Sequence, residues 1–428
     1  MRIGFLFAPL VSFLGLAVAT SAMAEAPQYS LRPKHRPAHL AATKSTASNT
    51  PAPTQAAFRE WLKSFRARAI EQGIPAPVID TAFADIRYSA DIVKKDRNQN
   101  EFTKTVWVYL DSAASDARIS AGRKALQKHA KTLATIESHY GVEKEIIAAV
   151  WGLESAYGSY RGALSTIESL ATLAFDARRA EFFETQLMSA LTILAQGHVS
   201  AQNMRGSWAG AMGHTQFMPT SWQEHAVDFN GDDKRDIWSD DPTDALASAA
   251  NYLKQNGWQT GQPWGVEVRL PDGFNYMLAR RDHPKLPSEW ARLGVTDTNG
   301  KPVPDHGPAT VLLPGGARGA AFLIFKNFEV IETYNTADAY VIGVGHLADR
   351  LAGGPPIRAT WPREFRALTL PERLELQRLL KQRGFDPEKL DGKVGPLTIN
   401  AVRAYQKSRG LSPDGYPSPA FLDHLRKN

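Results

Sequence analysis

Apolar residues recur three and four positions apart from Phe58 to about Gly197, the period of helices that bury one face. Phe58, Trp61, Leu62 and Phe65 form one such stripe, and Ile136 and Tyr140 belong to a second region of the same core. Ile147, Val150, Trp151 and Glu154 predict a helix over about 143–158 with a carboxyl at the end of its apolar face. The run from Leu164 to Leu194 keeps the helical spacing and contains two adjacent arginines, Arg178 and Arg179. Between residues 198 and 265 the stripes give way to Gly, Asp and Trp. A further helix is expected after Asp241, with Asp241 as its N-cap and Pro242 at its first position. The β-prone runs at 265–270 and 320–325 predict a small sheet or hairpins. Residues 340–351 return to helix, Gly353-Gly-Pro-Pro356 reads as a linker, and the last 70 residues read as a separate helical unit. The fold class expected is mainly α with some α+β character.

Composition adds compartment and charge. Arg2, the apolar run 3–18 and Ala22-Met23-Ala24 have the form of a secretory signal over residues 1–24; an uncleaved anchor is the other reading of the same run. Residues 25–55, rich in Ala, Pro, Thr and Ser, read as a disordered tether. The chain has no cysteine, so it folds without disulfides, has no thiol nucleophile, and cannot be lipidated at an N-terminal cysteine. A periplasmic location and a monomer are expected. The net charge is +6, and residues 361–428 hold 13 Lys and Arg against 8 Asp and Glu. An exported basic module suits an anionic partner such as wall polymer or lipid headgroup, not nucleic acid.

Three segments carry candidate chemistry. Burial at the end of an apolar stripe would raise a carboxyl's proton affinity, which is what a general acid needs near neutral pH. The same pattern also suits a solvated helix end, and the helix alone leaves both readings open for Glu154. In 205–222, Arg-Gly-Ser-Trp-Ala-Gly-Ala-Met-Gly-His-Thr-Gln-Phe-Met-Pro-Thr-Ser-Trp, small residues permit close backbone approach. Ser207, Thr215 and Gln216 there can hydrogen-bond a neutral polar ligand, and Trp208, Phe217, Met218 and Trp222 offer apolar surface, a combination suited to sugars. A packed structural turn is the plainer reading. Finally, Asp228, Asn230, Asp232 and Asp236 stand at positions 1, 3, 5 and 9 of an EF-hand-like loop, with the Lys234 carbonyl at position 7. Position 6 is Asp233 rather than Gly and position 12 is Ser239 rather than Glu, so an Asx-rich turn without metal is the alternative.

Trp151-Gly-Leu-Glu-Ser-Ala-Tyr-Gly158, followed by Gly206-Ser-Trp-Ala-Gly-Ala-Met-Gly-His-Thr-Gln-Phe-Met-Pro219, resembles the membrane-bound lytic transglycosylase B family of peptidoglycan-cleaving enzymes. Asp96-Arg-Asn-Gln-Asn-Glu-Phe102, Leu170-Ala-Thr-Leu-Ala-Phe-Asp-Ala-Arg-Arg179 and Asn251-Tyr-Leu-Lys-Gln-Asn-Gly-Trp258 agree with it in order. The resemblance implies a lysozyme-like helical catalytic domain over 56–352 with a small β region and no organic cofactor. It implies that Glu154 is the sole catalytic acid/base, that Ser207, Gln216, Tyr334 and Tyr340 line the sugar cleft, and that Arg178 and Arg179 lie near it. It also implies that Asp244 closes a structural Ca²⁺ site, although this chain runs two residues longer before that Asp. After a linker at 353–366, residues 367–428 contain Asp391-Gly-Lys-Val-Gly-Pro-Leu-Thr398 and resemble the peptidoglycan-binding domain 1 family, a three-helix wall-binding module. Arg383 and Lys393 are candidate contacts there for peptide-stem carboxylates. Peptidoglycan glycan strands are the expected partner, with other cell-wall enzymes as further candidates. A hydrolytic muramidase and a non-catalytic wall-binding scaffold are the competing readings.

Overall fold

The computed structural model describes residues 54–97 and 104–427. The signal and tether readings, and much of the segment after Asp96, lie outside the described residues. Among the described residues no helix is long and apolar enough to cross a membrane.

The apolar stripes meet in two adjoining helical cores. In the first, Phe58, Leu62 and Phe65 of the Gln55–Glu71 helix pack with the Thr166–Phe175 and Ala180–Ala195 helices. Each such side chain, once fully buried, contributes roughly 1.5–3 kcal/mol of transfer free energy. The long apolar run from Leu164 is two helices rather than one. Ala177, at φ 64°, turns the chain between them and brings Arg178 and Arg179 onto Asp96. In the second core the Lys144–Ser155 helix packs against the Asp338–Leu351 helix, flanked by the Val106–Ala113, Ala130–Tyr140 and Thr243–Gln255 helices. Asp241 does not itself cap the last of these. Pro242 is the N-cap, and the Asp241 carboxylate accepts from Thr243 N at 3.0 Å, one residue further on.

The β-prone runs form one antiparallel sheet of four strands, in the order Thr296–Asp297, Gly265–Arg269, Ala321–Ile324, Thr310–Leu312. Gly265 pairs with Ile324 and Val268 with Ala321. The sheet abuts the helical core through Trp264, whose ring lies where a Cβ on Gly345 would come within 2.3 Å. A second, two-stranded ladder pairs Leu164–Ser165 with Arg205–Gly206 and delivers Ser207 to the end of the Glu154 helix.

Three helices, Leu370–Gln382, Pro396–Ser408 and Pro419–Lys427, close around Leu376, Leu380, Val402, Tyr405 and Leu422. A capping box between Thr369 and Glu372 starts the first. Arg383 does not present its guanidinium to a ligand: it donates to the carbonyls of Leu379 and Leu425, tying the first helix to the last. Lys393 is exposed. The segment read as a linker is packed against the catalytic region. Trp361 lies 5.9 Å from Trp107, and Arg363 bonds both oxygens of Asp111 at 2.7 and 2.8 Å.

Candidate active site

Glu154 occupies the last turn of the Lys144–Ser155 helix, and its neighbours fix how that turn ends. Ala156, Tyr157 and Gly158 all take left-handed φ values, 48°, 57° and 84°, so the chain reverses sharply after the helix. The reversal lays the Tyr157 ring on Gly152, where a Cβ would come within 2.6 Å of it, and Tyr157 Oη donates to the Arg118 carbonyl at 3.0 Å. Ser155 Oγ donates to the His214 carbonyl at 2.6 Å and accepts from Gly158 N at 3.0 Å. Trp151 donates its indole N–H to His214 Nδ1 at 3.1 Å. The ring proton is therefore assigned to Nε2, which donates to the Ser239 carbonyl at 2.7 Å. Burial holds the proton affinity of His214 below the usual histidine value, consistent with a neutral ring.

Opposite this turn, Tyr340 donates its hydroxyl to Glu154 Oε1 at 2.5 Å. Tyr334 stacks beside Tyr340, with ring centroids 6.5 Å apart, and donates to the Thr215 carbonyl at 2.5 Å. Burial first, and the nearby Glu154 charge second, push both phenols well above the ordinary tyrosine value, so they stay protonated and act as donors. Ser207 Oγ accepts from Ala211 N at 3.1 Å. Gln216, at φ 50°, spends its amide N–H groups on the carbonyls of Arg161 (3.1 Å) and Gly213 (2.8 Å). Its Oε1 is then the group that can accept from a sugar hydroxyl or acetamide.

These side chains share one open cleft of about 1100 Å³, beyond the roughly 300–1,000 Å³ common for small ligands and suited to a stretch of polymer. Glu154, Ser207, Gln216, Tyr334, Tyr340 and Arg179 all line it. Arg178 does not. Its Nε is bound to Asp96 Oδ2 at 2.6 Å, and Arg179 holds the other oxygen at 2.6 Å. Asp96 is only 2% exposed, and a buried carboxylate needs this compensation.

The acidic loop lies apart from the cleft. Asp228, Asp232 and Asp244 bring carboxylate oxygens within 4.8 Å of one another, so the two extra residues before Asp244 do not keep it from the loop. Asp244 also accepts from the N–H groups of Phe229, Asn230 and Asp236. Asp233 adopts φ 66°, the left-handed turn that Gly supplies at position 6 of an EF-hand. Asp236 instead turns Oδ1 onto Trp238 N and Ser239 N, and Asn230 spends its side-chain N–H on Asp232. Three carboxylates this close fit a cation better than they fit one another.

The transglycosylase SLT domain model matches residues 57–349. The chain belongs to the transglycosylase SLT family. A peptidoglycan binding domain model matches residues 369–425 of this SLT-family chain. SltB3 from Pseudomonas aeruginosa, solved in complex with NAG-anhNAM-pentapeptide, is 49% identical with a TM-score of 0.83, covering 86% of this chain and 99% of that one. The Escherichia coli lytic transglycosylase Slt35, solved in complex with calcium, is 28% identical with a TM-score of 0.59, covering 68% of this chain and 92% of that one. Membrane-bound lytic murein transglycosylase B of Escherichia coli K12 is 36% identical over 220 residues, 50% of this chain; the match spans 58% of that relative's length.

Within this SLT-family site, sequence reasoning overlooked His214, Ser155 and Tyr157. All three stand inside the two motifs, but their role depends on contacts across 59–63 residues for the first two, which no spacing rule displays.

Proposed function

We propose that the chain is a lytic murein transglycosylase acting in cell-wall turnover, which cleaves the β-1,4 bond between N-acetylmuramic acid and N-acetylglucosamine and leaves 1,6-anhydro-muramoyl ends. The observation that carries this reading is Glu154, a carboxyl held by a buried tyrosine at 2.5 Å in an open cleft of about 1100 Å³. Among the described lining residues the other carboxyl is Asp91, which sits on the Ala90–Arg97 helix beside lysines.

Most glycosidases need a second carboxylate, and substrate assistance is the recognised exception. Here Glu154 protonates the glycosidic oxygen as the bond to C1 breaks. The muramoyl 2-acetamido group supports the electron-poor C1. Glu154, now a carboxylate, accepts the proton of the 6-hydroxyl as that oxygen bonds to C1. The acid is regenerated and no water enters. Tyr340 keeps the carboxyl oriented through both proton transfers, while Ser207, Gln216, Tyr334 and Arg179 hold the strand.

In the same reading the protein is exported to the periplasm, and residues 367–428 bind the wall. A structural Ca²⁺ would be held by Asp228, Asp232 and Asp244, with Asn230, Asp236 and the Lys234 carbonyl as the remaining oxygen donors. It would neutralise the clustered charge and brace the loop.

Mass spectrometry of digested sacculi tests the reaction. Wild-type protein is expected to give anhydro ends, and Glu154→Gln to lower the rate by about 10²–10⁴-fold, the range for losing a general acid/base. Reducing muramoyl ends would replace this reading with a muramidase. Full activity in Glu154→Gln would remove Glu154 from the mechanism.

A further inference from the structure

Among the described residues, neither the four-stranded sheet nor the segments that join its strands line the cleft. The sheet region nonetheless reaches the aromatic wall of the cleft from behind. That wall is a turn between two helices: Lys326–Tyr334 ends, residues 335–337 are not helical, and Asp338–Leu351 begins. Tyr334, Asn335, Ala337, Ala339 and Tyr340 all line the cleft. Tyr334 is fixed by its own neighbours, the Thr215 carbonyl at 2.5 Å and the Tyr252 ring at 4.9 Å, and Tyr252 Oη donates to the Thr333 carbonyl at 2.7 Å. The second helix starts without such a hold, since Ala337 stands at its N-cap and makes no side-chain cap.

Arg281 spans this turn. It comes from the segment between the Gly265–Arg269 and Thr296–Asp297 strands. Its Nη1 donates to both oxygens of Glu332 at 2.8 and 2.9 Å, and its Nη2 donates to Asp338. Glu332 lies two residues before Tyr334, and Asp338 two residues before Tyr340. One guanidinium thus ties the end of the first helix, which is already fixed, to the start of the second, which is not. The planar fork of an arginine holds two carboxylates at a set angle, which a lysine cannot do. The three side chains are 23%, 27% and 29% exposed for Arg281, Glu332 and Asp338, so water screens them less than a surface pair. Burial first, with the Asp338 charge adding to it, pushes the Glu332 carboxyl above its ordinary value against the pull of Arg281. Without the guanidinium these two carboxylates would be left uncompensated, and the turn would have to open to solvate them. We propose that Arg281 is a positioning residue for glycan cleavage: it sets the start of the Asp338–Leu351 helix and so holds the Tyr340 hydroxyl on Glu154. The sheet region then acts on the reaction without touching the strand.

The test is a double-mutant cycle on glycan strands, reading kcat and KM for wild type, Arg281→Gln, Tyr340→Phe and the two combined. Arg281→Gln should lower kcat about tenfold, inside the roughly hundredfold that a small misplacement at the reacting centre can cost, and leave KM nearly unchanged. In the Tyr340→Phe background the same change should cost almost nothing, because the hydrogen bond it acts through is already gone. Arg281→Lys keeps the charge without the fork and should fall between wild type and Arg281→Gln. Thermal unfolding separates loss of fold from loss of positioning. If Arg281→Gln does not fold, the cycle is run with Arg281→Lys, whose effect should vanish in the same way once Tyr340 is Phe. Equal losses in the two backgrounds would overturn the proposal, since a brace that only stabilises the fold acts independently of Tyr340. So would an unchanged kcat, or a raised KM with kcat kept, which would assign the turn to gripping the strand. The proposal rests on the transglycosylase reading for Glu154 as the acid. Failure of that reading shows in Glu154→Gln or in the chemistry of the new ends, whereas the cycle is read from the rate of cleavage whichever end forms.

Discussion

Glu154 and Tyr340 are 186 residues apart in sequence and joined by one hydrogen bond. A hydrogen bond to a charged group contributes about 1.5–3 kcal/mol, roughly 10- to 100-fold in rate if it is needed in the transition state. Tyr340→Phe should therefore lower kcat by that factor and leave KM nearly unchanged, because the ring still packs beside Tyr334. Steady-state kinetics on purified glycan would check this, and an unchanged kcat would reduce Tyr340 to a packing role. Glu154 stood out in the sequence because it ends an apolar stripe and sits in a motif. The reason for the motif's final glycine was not legible. Gly158 must adopt a left-handed φ of 84° with His214 within 2.6 Å of where a Cβ would stand, and that histidine comes from another segment. Arg178 shows the opposite failure. Its type and place suggested the cleft, but the buried Asp96 takes it, and burial of a distant carboxylate leaves no local mark in a sequence.

At the scale of elements, periodicity located the helices well and their ends less well. The break at Ala177 falls within a continuous apolar spacing, so it was invisible to a count of apolar positions. The acidic loop makes a prediction at this scale. Asp244→Asn should lower the melting temperature measured with Ca²⁺ present and reduce the drop that a chelator causes; an unaltered chelator response would argue against a bound cation. The Asp338–Leu351 helix supplies another. Burial, with the Arg350 charge second, pushes His346 down to about 4. The unfolded side chain takes its proton below about pH 6.5, whereas the folded one resists until about 4. The unfolded state binds more protons across that window, so stability present above pH 6.5 is lost as the pH falls. The slope approaches about 1.4 kcal/mol per pH unit, up to about 3 kcal/mol in all. Urea unfolding at several pH values should show this slope flattened in His346→Gln, and an identical acid limb would place the titration elsewhere.

Across the whole molecule, the C-terminal helices are not a pendant. Tyr416 meets Trp107 at 6.4 Å and Phe365 at 6.1 Å, and Asp414 accepts from Ala317 N at 2.9 Å. Residues 353–356 are non-helical, but composition alone cannot show that Trp361 and Arg363 will find Trp107 and Asp111, both on the Val106–Ala113 helix. Tyr416→Ala should remove about 2–3 kcal/mol of aromatic packing at this joint, a typical loss for truncating a large side chain. Limited proteolysis between residues 353 and 366 should then speed up, and calorimetry should resolve two transitions in place of one. Equal cleavage rates in the variant and the wild type would mean that the joint contributes little.

Trp151, Ser155, Gly158 and His214 form a closed loop of contacts: indole to imidazole, hydroxyl to carbonyl, hydroxyl to amide, and a glycine beside the ring. Members of such a set do not tolerate replacement one at a time, because each change strands the partner of another. Sequence drift at these four positions must therefore be concerted. Across descendants of this chain they should be kept or exchanged as a block, and two motifs that look like separate sugar-contacting signatures would covary because of a joint whose four residues do not line the cleft.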